Sequence, residues 1–134
     1  MRIMLDTNVI ISHILFNNDK MEKFFNFALN KDELIISNVI IDELKEVFSK
    51  KFRNKISILN IFLKTLHAEC INVYGIDDMS LFEIRDKSDY PVLYSAIKGN
   101  VDIFVTGDED FKNVKIDKPK IMSINEYMDQ YYKF

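Results

Sequence analysis

Ile3-Met4-Leu5-Asp6-Thr7-Asn8-Val9-Ile10-Ile11-Ser12 is the stretch on which the fold turns. The apolar triplet Ile3-Met4-Leu5 reads as a short buried strand, and the near-apolar run Val9–Phe16 reads as a helix. An acid stands directly between them. The same grammar recurs along the chain. Leu34-Ile35-Ile36 is a second strand, and Ser37 is placed to cap a helix from Asn38 to about Ser49. Cys70-Ile71-Asn72-Val73-Tyr74 reads as a third strand, followed by a polar loop to Ser88. A helix then fits Asp89 to Lys98, with Pro91 tolerated in its first turn. Ile103-Phe104-Val105-Thr106 and Lys120-Ile121-Met122-Ser123-Ile124 read as the fourth and fifth strands. Helical spacing also covers Met21–Leu29, Ile56–His67 and about Asn125 to Tyr132. Continuous apolar strands separated by helices predict an α/β protein whose parallel sheet is covered on both faces.

In such sheets ligands bind beyond the carboxyl ends of the strands, so the residues that follow each strand matter most. Asp6 follows the first strand, Glu43 lies early in the helix after the second, Asp89 opens the helix after the third, and Asp108 follows the fourth. At about 100° per residue, Ile40, Leu44, Val47 and Phe48 form one apolar stripe. Glu43 borders that stripe and points toward the sheet, whereas Asp42 lies nearly opposite, in solvent. Asp89 precedes Val92, Leu93 and Ala96 by three, four and seven positions and so stands above a buried face. Taken singly, Asp6 and Asp89 read as helix caps, and Asp108 and Asp110 as turn residues beside Gly107. Four converging carboxylates raise one another's pKa, and oxygen-only clusters suit the hard cations Mg²⁺ or Mn²⁺.

Length and composition bound the class. The 134 residues are 48% hydrophobic and 13% aromatic, with 3 Gly and 2 Pro, which excludes a disordered chain and suits one domain spanning 1–134. The single cysteine, Cys70, excludes a disulfide framework and a cysteine-rich zinc site, and reads as a small core residue. His13 and His67 lie in helical runs and read as packed or surface histidines. The opening residues run straight into Asp6 without a signal-peptide core, and Val9–Phe16 is far short of the roughly 20 apolar residues of a membrane span. The expectation is a cytoplasmic protein with no membrane contact. Neither a P-loop nor GxGxxG is present, which disfavours a nucleotide-cofactor enzyme. The net charge is −3, yet Lys45, Lys50, Lys51, Arg53, Lys55 and Lys64 are offset within their segment only by Glu46. That segment is either a phosphate-binding edge or the solvated side of a helix pair.

Five segments together resemble a known family. They are Leu5-Asp6-Thr7-Asn8-Val9-Ile10-Ile11-Ser12, Ile40-Ile41-Asp42-Glu43-Leu44, Arg85-Asp86-Lys87-Ser88-Asp89-Tyr90-Pro91-Val92-Leu93, Val105-Thr106-Gly107-Asp108-Glu109-Asp110-Phe111, and Ile121-Met122-Ser123-Ile124-Asn125-Glu126-Tyr127. In order, and over nearly the whole chain, they resemble the PIN-domain ribonucleases, in particular the toxin-like branch. The resemblance implies a three-layer α/β/α fold whose central parallel sheet has about five strands in the order 3-2-1-4-5. It implies a Mg²⁺- or Mn²⁺-dependent endoribonuclease, the toxin component of a toxin–antitoxin pair. Asp6, Glu43, Asp89 and Asp108 become the catalytic and metal-holding quartet, with Asn8 and Thr106 as supporting polar residues and Asp110 as an auxiliary acid. Asp86 is a neighbour in the same motif. RNA contact on an acidic body falls to Lys50, Lys51, Arg53, Lys55 and Arg85. An antitoxin protein and a homodimer are the implied protein partners. The alternative reading is a catalytically silent module of the same fold that binds RNA or protein. A haloacid-dehalogenase-type phosphatase fits less well, because Asn8 stands where that motif needs its second Asp.

Overall fold

The apolar triplets become strands, and the strands form one sheet. In the computed structural model, which describes residues 1–132, the elements run β1 (Arg2–Leu5), α1 (Thr7–Leu15), α2 (Asp19–Lys31), β2 (Glu33–Ser37) and α3 (Asn38–Lys51). A 3₁₀ turn over Arg53–Lys55 leads to α4 (Ile56–Thr65) and β3 (Glu69–Ile71). A second 3₁₀ turn over Lys87–Asp89 precedes α5 (Tyr90–Lys98), β4 (Ile103–Val105), α6 (Glu109–Lys112), β5 (Lys120–Met122) and α7 (Ile124–Tyr131). The last two positions of the expected span 1–134 lie outside the described residues. The five strands are all parallel in the order β3-β2-β1-β4-β5, with Met4 opposite Ile35 on one side and Phe104 on the other. Adjacent strand residues point to opposite faces, and Ile3, Met4, Ile103 and Phe104 are each at most 1% exposed. Both faces are therefore covered, which makes this a three-layer α/β/α fold. Among the described residues no helix is long and apolar enough to cross a membrane.

The third strand departs from expectation. The pairing runs Ile35–Glu69, Ile36–Cys70 and Ser37–Ile71, then stops where β2 turns into α3. Beyond that point the Asn38 side chain takes over, donating from Nδ2 to Val73 O (3.0 Å) and accepting from Val73 N–H (2.8 Å). One amide thus replaces the next rung of the ladder. Because β3 is an edge strand, Cys70 is exposed and is not the core residue its apolar context suggested. The shorter elements also differ. The last strand ends at Met122, since Ser123 and Glu126 form a reciprocal capping box that starts α7 there. The short α6 has no apolar period to announce it and is nucleated by the Asp108 cap. His13 is half-buried and stacked on Phe25 at 3.7 Å between ring centroids.

Candidate functional site

The carboxyl edge of the sheet gathers the acids. Backbone hydrogen bonds carry the ladder one residue past each strand: Asp6 N–H donates to Val105 O, and Thr106 N–H to Met122 O, both at 2.9 Å. These bonds fix where the side chains of Asp6 and Thr106 leave the sheet. Asp6 caps α1, its Oδ1 accepting from Thr7 N–H (2.7 Å), while its Oδ2 accepts from the Thr106 hydroxyl (2.8 Å). The same Thr106 oxygen accepts from Asp108 N–H (3.0 Å). One fully buried hydroxyl therefore sets the relative positions of two acids on adjacent connections.

Burial pushes the Asp6 carboxyl up to about 6, opposed by its Thr106 and Thr7 hydrogen bonds, with Glu43 and Asp108 adding repulsion. Glu43 is half-buried on the inner side of α3, and burial raises it as well. Asp42 is exposed. The Thr7 hydroxyl is buried, makes no hydrogen bond of normal geometry, and faces Glu43, partly offsetting that rise. Asp89 stands at the start of α5 but forms no cap bond. Burial pushes it up to about 6, and Asp86, Asp108, Glu43 and Asp110 all add to the rise.

Carboxylate oxygens of Asp89, Asp108 and Asp110 lie within 4.8 Å of one another. Asp108 caps α6 by accepting from Asp110 N–H (2.9 Å). Asp110 is gripped by Arg85, whose Nε and Nη2 donate to its two oxygens at 2.8 and 2.7 Å, and this guanidinium holds the carboxyl below its usual range. Asp86 is turned to Ser88, accepting from its N–H and hydroxyl, and is exposed. Asp89 and Asp108, with the half-buried Glu43 and buried Asp6 bordering them, make an all-oxygen donor set that fits a hard divalent cation, while Asp110 beside them has both oxygens on Arg85.

The structure does not bring every sequence candidate to this edge. Lys50 and Lys51 end α3, at least seven residues and about 10 Å along the axis from Glu43, toward the opposite edge. Lys50 pairs with Glu46, and Arg53 Nε donates to Ser49 O. Asn8, exposed at the start of α1, does reach this edge, two residues after Asp6, but its side chain bonds none of the acids among the described residues. The parts that sequence reasoning missed are the Arg85 fork, which joins the loop before α5 to α6, 25 residues on, and the Thr7 hydroxyl inside a motif otherwise read for its acid.

Residues 2–110 match the PIN domain, and the chain belongs to the PIN-domain family. No curated protein matches it in sequence. Among solved structures it is similar to a chain in the crystal structure of VapBC2 from Rickettsia felis bound to a DNA fragment from their promoter. The TM-score is 0.69 and the identity 23%, over 91% of this chain and 97% of that one, a likeness of fold.

Proposed function

We propose that this chain is a metal-dependent endoribonuclease, built as a single PIN-like domain over 1–134. The observation that carries the reading is the convergence of Asp89, Asp108 and Asp110 within 4.8 Å, beside the buried Asp6 and Glu43. Asp6, Glu43, Asp89 and Asp108 would hold Mg²⁺ or Mn²⁺, which when bound neutralises phosphate charge and acidifies water. The chain's own contribution is positioning. Thr106 and Thr7 fix both oxygens of Asp6, and Thr106 ties Asp108 to the same frame. Asp89 neither caps α5 nor bonds another side chain among the described residues, so one of its oxygens would hold the metal while the other takes a proton from the attacking water. The water oxygen bonds phosphorus, the bond to the leaving ribose oxygen breaks, and solvent returns a proton to that oxygen.

The solved relative is a VapBC2 complex, which supports reading this chain as the toxin of a toxin–antitoxin pair, with an antitoxin protein as partner and the cytoplasm as its compartment. A homodimer and RNA contact through Lys50, Lys51, Arg53, Lys55 and Arg85 belong to the same reading. Incubation of mixed RNAs with Mn²⁺ or EDTA is the test. Cleavage should require the metal and fall at least ~100-fold in folded Asp6→Asn or Asp108→Asn. Cleavage that survives EDTA or either substitution removes the catalytic assignment. RNA binding without cleavage establishes the silent module instead.

A further inference from the structure

Beside the acids, on the α1 and α7 side of Gly107, lies a recess of about 290 Å³. Val9, Met21 and Ile124 give it an apolar lining, and Asn8, Ser12 and Asn125 bring polar groups to it. Lys20 stands at its rim, exposed. The side chains of Asn8, Ser12, Asn125 and Lys20 have no hydrogen-bond or ion-pair partner among the described residues, so their bonding capacity is unspent. Ser123, which also lines the recess, is different, because its hydroxyl is committed to the α7 cap. The recess adjoins the acidic edge through the chain itself. Asn8 lies two residues after Asp6, and Gly107 directly precedes Asp108. A β-carbon at Gly107 would meet nothing within 4 Å, so the space above it is open.

We infer that this recess is a nucleobase subsite, which holds one unpaired base of the RNA strand next to the bond being cut. The inference rests on the ribonuclease reading and deepens it. The apolar lining offers a ring the contact that a phosphate would not use. Amide and hydroxyl groups offer both donors and acceptors, as a base edge requires. The volume lies at the small end of ligand sites and suits one base, not a folded helix. Lys20, at the rim, supplies a positive charge that a flanking phosphate would meet there. A base seated here would anchor the strand on one side of the acids and so choose which phosphodiester bond faces them. Asn125 and Ser12 become specificity-determining residues with no part in the chemistry.

The first experiment needs no catalysis. The four ribonucleosides, which carry no phosphate and so avoid the acids, are titrated into the metal-free full chain and followed by amide chemical shifts. Saturable shifts are expected at Ser12 and Asn125, larger for one base than for the others, and absent in Ile124→Trp, whose ring fills the recess. Shifts that are absent, or unchanged in Ile124→Trp, overturn the subsite. Ser12→Ala is the second variant should Ile124→Trp fail to fold, and it should weaken the preferred nucleoside by roughly 2- to 10-fold, one hydrogen bond's worth. Equal binding of all four nucleosides by wild type and Ser12→Ala counts against the inference. The second experiment sequences the fragment ends of mixed RNA cut in Mn²⁺. Wild type should favour one base beside the cut, and Asn125→Ala should flatten that preference while cutting continues. An untouched preference overturns the subsite and leaves the ribonuclease reading intact. Nucleosides that fill the recess of a protein that cuts no RNA leave a base-binding site and remove the ribonuclease.

Discussion

Two buried aspartates at opposite ends of the sheet show how the same side chain serves two ends. Asp6 is 4% exposed and Asp32 is 7% exposed. Among the described residues Asp6 is bonded only by neutral donors and faces other acids, and burial pushes it up to about 6. Asp32, just before β2, is met by the Met1 amine at 3.1 Å, Lys31 Nζ at 3.2 Å and the Tyr127 hydroxyl. Burial pushes Asp32 up too, but Tyr127, the amine and Lys31 outweigh it and leave the carboxyl below its usual range. Burial alone therefore does not decide the state of an acid; the company it keeps does. One end spends its charge on holding α2, β1 and α7 together. The other leaves charge uncompensated, which is what a cation needs to find.

The harshest way to break this contrast is to remove each acid and measure both stability and cleavage. Asp32→Ala strands two cations and a phenol, and should cost about 2–4 kcal/mol in urea denaturation while cleavage per folded molecule persists. Asp6→Asn should do the reverse. Ionising Asp6 in the metal-free fold costs about 3 kcal/mol by its shift from 3.8 to about 6. The amide avoids that cost but loses the acceptor of the Thr106 hydroxyl, so a net gain of about 1 kcal/mol is expected at pH 8 in EDTA, with cleavage abolished. Equal destabilisation by both substitutions would mean that Asp6 is only a cap.

The pH dependence sharpens the same contrast. Asp6 and Asp89 are raised, so between about pH 4 and 6 the metal-free fold binds more protons than the unfolded chain. Their contribution is most favourable below that window and is lost as pH rises through about 6. Asp32 is lowered, so its contribution is present above about pH 4 and is lost only as pH falls through its depressed value. In EDTA, stability referred to Asp6→Asn should therefore fall by about 1–3 kcal/mol from pH 4 to pH 8. Saturating Mn²⁺ should reverse that trend and raise the melting temperature, because it binds the ionised acids. A wild-type melting curve indifferent to Mn²⁺ would leave the cluster without its cation.

A smaller effect isolates the shared hydroxyl. Thr106→Val removes the donor to Asp6 and the acceptor for Asp108 N–H at nearly constant volume, and should cost about 1–2 kcal/mol and weaken Mn²⁺ binding severalfold. Thr106→Ser should restore both, measured by calorimetry. The smallest expected effects concern the far side of α3. Replacing Lys50, Lys51, Arg53 and Lys55 with Ser should lower the salt slope of RNA binding by about one unit per lost contact and leave the maximal rate unchanged. Unchanged affinity would make that segment a solvated face. Asp42→Asn, exposed on α3, should alter neither property, whereas Glu43→Gln should impair metal binding.

Much of this was legible because strand and helix write different periods. Leu34-Ile35-Ile36 and Ile103-Phe104-Val105 are apolar on every residue, which only a strand covered on both faces requires. The wheel likewise separates Glu43 from Asp42, because Ile40, Leu44 and Phe48 fix which side of α3 is buried. β3 resisted the same reading. An edge strand has only one neighbour to satisfy, and a side chain, Asn38, ends it early. The centre was legible as a list of acids but not as a set of bonds. Asp89 keeps its carboxylate free while Asp86, three residues earlier, spends its own on Ser88, and no periodicity distinguishes them. The grip of Arg85 on Asp110 depends on a loop path that no local pattern encodes.

The order of the strands also sets a clock. β1 is the first strand made, yet it sits in the middle of the sheet and waits for β4, so the bond from Thr106 to Asp6 joins positions 100 residues apart. Contacts of that separation carry a large loop-closure cost and slow the search for the native state. During synthesis, Asp6 and Glu43 leave the ribosome long before Asp89 and Asp108. A nascent chain that has not yet reached β4 keeps Asp6 on the Thr7 N–H alone, without the Thr106 hydroxyl, and has no Asp108 to set beside it. The full set of acids comes together only once β4 and the turn after it have joined the sheet.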